Sequence, residues 1–336
     1  MRESYSVAIV GATGAVGGEF LRIFEQRKFP VCSLSLLASE RSVGKRMVFG
    51  GKSIEIAEAK PGAFAGVDVV FFSAGATRSR ALVPDALAAG SLVIDNSSAF
   101  RMQSDVPLIV PEVNPNTYTK ENRLFSVGNC SAILLCTAIN PLRKLGKLKR
   151  LIVSTYQSAS GGGAGMMRQL EAETKAIVCN EPMPSTTLSQ TYGFNLFSHN
   201  TAIGDLGYNE EELKVIDETK KILGDPHLQV NVTCIRVPVL RAHTETVTLE
   251  FDGLAPSVEC ARKVLSEAPG VRLVDDRDAN HFPTPLEASG IDDVLVGRIR
   301  QDISNPNALC LMLSGDQLLK GAALNAVQIA ELVLGI

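Results

Sequence analysis

A cysteine stands in Ser126-Val127-Gly128-Asn129-Cys130-Ser131-Ala132, where a short apolar strand hands over to a helix. In that position the thiol meets unpaired backbone N–H groups and the positive end of the helix dipole, which lower its pKa and raise the thiolate fraction. Asn129 reads as the N-cap. Such a thiolate suits attack on a carbonyl, followed by hydride transfer from a thiohemiacetal and an acyl-thioester intermediate. That chemistry requires an acid/base. Of the four histidines, only His243 lies between two strands in a segment that also holds Arg236 and Arg241, and imidazole is the default proton shuttle near pH 7. His199, His227 and His281 read as loop histidines without a role. Cys136, Cys179, Cys234, Cys260 and Cys310 fall in apolar or element-interior settings and read as inert.

The second chemical signal is Gly11-Ala12-Thr13-Gly14-Ala15-Val16-Gly17, which follows the first strand and opens the first helix. Glycines here let backbone N–H groups approach a pyrophosphate, and the helix N-terminus adds a favourable partial positive charge. The spacing is GxxGxxG rather than GxGxxG, so the strand and helix around it carry as much of the reading as the glycines. After the second strand the chain runs Ala38-Ser39-Glu40-Arg41-Ser42. Ser39, Arg41 and Ser42 suit a 2′-phosphate and point to NADP over NAD, whereas Glu40 is the one acid that would suit a free 2′-hydroxyl.

The elements that must position these groups follow from the apolar periodicity. Up to about Gly146, short β-branched runs at Tyr5–Val10, Ser33–Ala38, Val67–Ser73, Leu92–Asp95 and Leu124–Val127 alternate with helical stretches at Gly14–Arg27, Ser79–Ala89 and Asn129–Lys144. That rhythm predicts βαβ units and a parallel sheet. Pro141 should kink or shorten the last of those helices. Beyond the basic connector at 143–150, longer segments at Leu151–Gln157, Val230–Val237, Thr244–Phe251, Val294–Gln301 and Ala308–Leu313 predict a mostly antiparallel sheet. Helices at Gly165–Val178, Asn209–Leu223, Ser257–Ser266 and Leu318–Leu334 should cover one of its faces, giving an α+β domain. Cys179–Thr201, rich in Pro, Ser, Thr and Asn, reads as an irregular excursion.

Composition narrows the partners. The 336 residues suit two domains, and 33 Lys plus Arg against 36 Asp plus Glu give a net charge of −3, which disfavours a nucleic-acid binder. No apolar run approaches the ~20 residues of a membrane span. Seven scattered cysteines without a CxxC pair, and no HExxH, argue against a metal site and for free thiols. With no signal-peptide pattern at Met1–Ser6, the expectation is a cytoplasmic protein.

The chain resembles the bacterial aspartate-semialdehyde dehydrogenases. The resemblance rests on residues 11–17, Asp95–Arg101, Val110–Asn114, Gly128–Ser131, Tyr156–Gly161, Arg236–Pro238 with His243, and Gly321–Asn325, blocks that span nearly the whole chain in order. It implies a Rossmann-like α/β NADP-binding domain (1–128), an α+β catalytic, substrate-binding and dimerisation domain (129–315), and a C-terminal helix (316–336) returning to the first domain. The implied reaction interconverts L-4-aspartyl phosphate with L-aspartate 4-semialdehyde plus phosphate, in synthesis of lysine, diaminopimelate, threonine and methionine. Cys130 would form the thioester, His243 would exchange the proton of the hemithioacetal oxygen, and Gln157 would contact substrate and hold the reacting groups. Arg236 would grip the substrate carboxylate and Glu211 would lie near its amino group, while Arg101 and Lys214, with Asn129 beside them, would serve phosphate. Gly11, Thr13, Gly14, Ala15, Val16, Ser39, Arg41, Ser42, Ser160, Gly161 and Gln317 would hold NADP. No metal is implied, and a homodimer is. An N-acetyl-γ-glutamyl-phosphate reductase would show an aromatic-Pro-Thr run after the cysteine, where this chain reads Cys130-Ser131-Ala132-Ile133. A non-catalytic nucleotide-binding relative would have lost the cysteine or the histidine.

Overall fold

The computed structural model describes residues 3–186 and 188–336; Met1 and Arg2 of the N-terminal reading and Thr187 of the excursion lie outside the described residues. The chain divides into two compact units, Met1–Gly128 with Ala322–Ile336, and Asn129–Gly321. Residues 316–321, expected with the returning helix, therefore belong to the second unit.

In the first unit β1 (Tyr5–Val10), α1 (Ala15–Arg27) and β2 (Val31–Ala38) form the opening crossover. β3 (Arg46–Phe49), β4 (Lys52–Glu58), β5 (Val69–Phe72), α2 (Ala76–Ala88), β6 (Leu92–Asp95) and β7 (Leu124–Ser126) follow. The sheet order is β3-β4-β2-β1-β5-β6-β7, parallel except for the β3–β4 hairpin. Strand order reverses at β1, so the crevice beyond its carboxyl end, at Gly11, is the place where this architecture binds ligands. Phe20 and Phe24 of α1 pack on Phe71 of β5 with ring centroids 5.0 and 5.4 Å apart, all fully buried. The hairpin was not expected. Its turn is Gly50-Gly51, both left-handed, a combination that closes a two-residue hairpin between β-branched and polar residues.

The second unit contains α3 (Cys130–Ile139), β8 (Leu148–Gln157), α4 (Ala164–Cys179), β9 (Phe197–Ser198), α5 (Glu210–Leu223), β10 (Gln229–Arg236), β11 (His243–Phe251), α6 (Val258–Ser266), β12 (Val271–Leu273), α7 (Pro285–Ala288), β13 (Val294–Gln301) and β14 (Ala308–Gly315). Sheet order is β12-β13-β14-β11-β8-β10-β9, antiparallel except at β8–β10 and β12–β13. One face lies under α3 and α5 and carries Val153, Thr155 and Gln157, Cys234 and Arg236, and His243 and Glu245, all buried. The opposite face, with Tyr156, Thr246 and Met312, is only half-buried. α3 ends at Ile139, and Pro141 sits in a 3₁₀ turn, Asn140–Lys144, because proline has no N–H to continue the ladder and crowds the preceding turn. Ser131–Ile139 of α3 is buried all round, since the sheet covers one side and α5 another.

The last helix is a π-helical turn, Leu319–Ala323, running into α8 (Leu324–Leu334). α8 packs within the first unit, where Arg27 meets Glu331 at 2.6 Å. No helix among the described residues is long and apolar enough to cross a membrane, and none of their His, Cys, Asp and Glu clusters could hold a metal ion.

Candidate active site

α3 begins at Cys130, which places its partly exposed thiol at a helix N-terminus, where the dipole favours negative charge. Asn129 caps that helix, its Oδ1 accepting from the N–H groups of Ser131 (3.0 Å) and Ala132 (3.3 Å). Its amide end must then face the other way, and Nδ2 donates to Glu211 Oε1 at 2.8 Å. Gln157, at the end of β8, donates from Nε2 to the same oxygen and to Ser131 Oγ, both at 3.0 Å. Its Oε1 is buried without a partner, so one acceptor remains for a ligand. Glu218, two turns along α5 from Glu211, accepts the backbone N–H of Asn129. Gly321 makes room for the nucleophile, since a Cβ there would lie 2.9 Å from that of Cys130.

Charge is arranged around these groups. Burial would raise Glu211, but His199, the two amide donors and Lys214 outweigh it and hold its pKa below the ordinary value. His199, buried at the edge strand β9, is pushed down to about 4 by burial and then by the charge of Arg236; it is neutral near pH 7, where the amides and Lys214 keep Glu211 ionised. Thr201 Oγ1 ties the two elements together, lying 3.2 Å from His199 Nδ1 and accepting the Glu211 N–H at 3.2 Å. Lys214, expected beside Glu211, pairs with Glu210 at 3.7 Å. Arg236 is 5% exposed; Nη1 donates to the Ser158 carbonyl at 3.1 Å, Nε has no partner, and no carboxylate pairs with it among the described residues. A buried guanidinium left so is unfavourable by several kcal/mol until an anion arrives, on the order of the penalty for any desolvated ion.

His243 opens β11 rather than lying in a loop, and it is fully buried. Its Nδ1 accepts from the Ser158 N–H at 3.1 Å and lies 3.0 Å from Ser158 Oγ, while Nε2 has no partner. Burial first, and the Arg236 charge second, push its pKa down to about 3. A Cβ on Gly161 would meet Arg236 Nη1 at 3.0 Å and His243 Nε2 at 3.1 Å, so the missing side chain keeps open a space that both nitrogens border. Beneath this row Glu245 is fully buried with both oxygens unpartnered, and burial raises its pKa well above the ordinary value.

The second unit thus gathers Cys130, Asn129, Gln157, Glu211, Arg236 and His243, with Lys214 at the rim and Ser160, Gly161 and Gln317 nearby. Sequence reasoning missed His199, Ser158 and Glu218. No local motif marks them, because strand register and α5 packing bring them in. It also misplaced Cys179 and Cys260, which are exposed on helix surfaces, whereas Cys136 and Cys234 are buried.

The remaining candidates lie in the first unit. Arg101, 8% exposed, donates from Nε to the Val127 carbonyl and from Nη2 to that of Asn96, each at 2.8 Å. The glycine turn fits a dinucleotide: Gly11 is left-handed and a Cβ there would sit 2.3 Å from the Ser73 carbonyl oxygen, and one on Gly17 would sit 2.4 Å from that of Gly11. α1 has no acid in its first turn and no side-chain cap; the Gly14 N–H donates to the Gly11 carbonyl at 2.9 Å and closes the turn, and the N–H groups of Thr13, Ala15 and Val16 suit an anion at the helix N-terminus. Thr13 Oγ1 lies 3.4 Å from Ser42 Oγ, so the 39–42 turn borders the same cradle, with Arg41 exposed beside it.

Residues 6–121 match the family model for the NAD binding domain of semialdehyde dehydrogenases, and residues 139–320 the model for their dimerisation domain. An aspartate-semialdehyde dehydrogenase of Synechocystis sp. is 49% identical over 98% of this chain and 97% of its own length. The crystal structure of aspartate semialdehyde dehydrogenase II from Vibrio cholerae complexed with ASA is 40% identical, covers 99% of each chain and superposes with a TM-score of 0.95. The enzyme of Candida albicans with NADP is 26% identical, covers 98% of each chain and has a TM-score of 0.75.

Proposed function

The chain belongs to the aspartate-semialdehyde dehydrogenase family, and from that premise we propose that it interconverts L-4-aspartyl phosphate with L-aspartate 4-semialdehyde plus phosphate through a thioester on Cys130. The observation that carries the substrate assignment is Arg236, buried and without a carboxylate partner among the described residues, on the row that holds Gln157 and His243. A planar guanidinium in that state suits the α-carboxylate of an amino acid held by two parallel hydrogen bonds. Glu211, ionised and buried, suits the α-ammonium; an N-acetylated substrate would leave it opposite an amide. Cys130 Sγ attacks the acyl carbon, the dipole of α3 favours the thiolate both as nucleophile and as leaving group, and His243 serves the oxygen of the tetrahedral adduct. Gln157 Oε1 supplies an acceptor, and Asn129 and Gln157 together hold Glu211 in place. Lys214 and Arg101 serve phosphate.

NADP would be held by Gly11, Thr13, Gly14, Ala15 and Val16, with Ser39, Arg41 and Ser42 serving its 2′-phosphate and, as the family resemblance implies, Ser160, Gly161 and Gln317 serving its nicotinamide end, and it would supply or accept the hydride when bound. The exposed Arg41 beside the Thr13–Ser42 contact supports NADP over NAD. Two copies pair through the half-buried sheet face, where Tyr156, Val237, Val239, Thr246, Pro285 and Met312 line an apolar hollow of about 430 Å³. Cysteines that form no disulfide among the described residues suit the reducing cytoplasm, and the product feeds amino-acid biosynthesis. The test is NADPH formation from aspartate semialdehyde and NADP with and without phosphate. Sustained turnover only with phosphate supports the reading, and phosphate-independent steady turnover overturns it.

A further inference from the structure

Arg236 has a second polar neighbour that the reaction above leaves idle. Tyr192, in the excursion before β9, is fully buried, and its hydroxyl has no hydrogen-bond partner among the described residues. An unpartnered polar group in a close-packed interior is unfavourable and calls for an explanation. The surroundings of Tyr192 place it beside Arg236. Phe197 stands directly opposite Arg236 across the antiparallel β9–β10 pair, so both side chains lie on one face of the sheet. The Tyr192 ring packs edge-on against Phe197, with centroids 5.2 Å apart, in one cluster with Leu170 and Ala159. Ala159 in turn follows Ser158, whose carbonyl takes Arg236 Nη1 at 3.1 Å. Guanidinium and phenol therefore share neighbours on two sides, yet the two make no hydrogen bond to each other, and Arg236 Nε is as unpartnered as the hydroxyl.

A buried carboxyl group is committed to holding this tyrosine. Glu173 of α4, itself fully buried, accepts the N–H groups of Tyr192 and of Gly193 (3.0 Å) on Oε2, and Gln169 Nε2 on Oε1 at 2.8 Å. Gly193 lies so close to α4 that a Cβ there would sit 3.0 Å from the backbone of Glu173 and Thr174. The Asn195 N–H then closes a turn onto the Tyr192 carbonyl at 3.1 Å, with Phe194 at a left-handed φ of 55°, a conformation an L-residue keeps only when its surroundings enforce it. We propose that the Tyr192 hydroxyl is a substrate-binding group that donates a hydrogen bond to the α-carboxylate gripped by Arg236, and that the excursion is folded onto α4 to deliver it. The proposal deepens the substrate reading above and rests on it. A carboxylate offers about four lone-pair sites; the fork of Arg236 takes two, and a phenol alongside takes a third. Burial raises the phenol to about 12, against the opposing charge of Arg236, so near pH 7 it keeps its hydrogen and remains a donor. One anionic end group thus satisfies both the guanidinium and the hydroxyl, which a neutral one would not.

The test is Tyr192→Phe, which removes one oxygen and keeps the ring packing. Steady-state kinetics are measured with aspartate semialdehyde and with a small aldehyde lacking the carboxylate, beside thermal melts of the ligand-free protein. Calorimetry reads the binding of aspartate semialdehyde to Cys130→Ala, with and without Tyr192→Phe. The expected result is a loss of roughly ten- to a hundredfold in kcat/KM for aspartate semialdehyde, the worth of one hydrogen bond to a charged group, carried mostly by KM. Kd on Cys130→Ala should rise by the same factor, the small aldehyde should be unaffected, and the variant should melt no lower than wild type, because the hydroxyl it loses has no partner in the free protein. A merely structural role would lower the melting temperature and impair both aldehydes together. That outcome, or unchanged kinetics and Kd for aspartate semialdehyde, would overturn the proposal. Wild-type enzyme that fails to turn over aspartate semialdehyde would instead overturn the functional reading alone, since the calorimetry is read without turnover; no binding to Cys130→Ala would overturn both.

Discussion

Replacing Arg236 by Met should separate activity from stability in opposite directions. Arg236 is 5% exposed and, apart from one hydrogen bond of 3.1 Å to the Ser158 carbonyl, its charge has no partner among the described residues. Losing that bond costs about 1 kcal/mol, whereas the desolvated charge it removes is unfavourable by several kcal/mol, on the order of the penalty for an unpaired buried ion. Met fills much of the same volume. The ligand-free variant should therefore melt no lower than wild type, and a gain of about 1 kcal/mol would appear as roughly 2–4 °C. Catalysis should suffer, because truncating one member of a buried charge pair costs about 2–5 kcal/mol, or roughly thirty- to several-thousand-fold in kcat/KM. Arg236→Lys keeps the charge without the fork and should recover only part of this. The assays are thermal melts of ligand-free protein, and steady-state kinetics with aspartate semialdehyde and with a small aldehyde lacking the carboxylate. Loss confined to the carboxylated substrate, with melting equal to or above that of wild type, is expected. An equal loss on both substrates, or a melt lowered by many degrees, would refute the reasoning and make Arg236 a support of the fold.

Stability should also fall on acidification below about pH 6.5. His243 and His199 are held down to about 3 and about 4, mainly by burial, so the unfolded chain takes up protons that the folded one refuses. The slope is about 1.4 kcal/mol per pH unit for each histidine, and His199→Asn should remove about half of it in denaturant titrations between about pH 6 and about pH 5. Glu245 has the opposite sign: its raised pKa makes the folded state lose stability as pH climbs above about 4.5. Glu245→Gln should therefore raise the melting temperature near pH 8 and leave it unchanged near pH 4; equal shifts at both would mean another cause. Arg41→Ala should raise KM for NADP by about tenfold, the worth of one exposed charge-assisted contact, and leave KM for NAD unchanged. Equal effects on both cofactors would withdraw the 2′-phosphate assignment. Gly161→Ala should cut kcat/KM severely with little loss of melting temperature, because its Cβ would come within 3.0–3.1 Å of Arg236 Nη1 and His243 Nε2, and near-wild-type kinetics would show that the space beside Gly161 is not used.

What the sequence disclosed depended on the range of the interactions. Parallel strands buried on both faces, such as Val69–Phe72, read as continuous apolar runs, and Asn129 before Cys130 announced its helix start because capping is local. The β3–β4 hairpin was missed although Gly50-Gly51 is a hairpin turn, since Arg46–Phe49 and Lys52–Glu58 lack a strongly apolar face. Cys179 and Cys260 looked interior because their helices carry apolar neighbours, but both point outward from those helices. His199 and Ser158 could not be read at all. One joins the site because β9 pairs with the end of β10, the other because β8 and β11 are neighbours, and no local pattern encodes such registers. The separation of Gln157 from Glu211 by 54 positions illustrates why the polar network becomes visible only in the fold.

The most direct measurement is the mass of the enzyme after mixing with aspartate semialdehyde and NADP in the absence of phosphate, followed by an acid quench. The account predicts one aspartyl group per chain, located by digestion on the peptide that contains Cys130, and a burst of NADPH of the same stoichiometry. Adding phosphate should discharge the group and start steady turnover. Cys130→Ala should show neither adduct nor burst, while Cys136→Ala behaves as wild type. An adduct on another residue, or steady turnover by Cys130→Ala, would contradict covalent catalysis at Cys130.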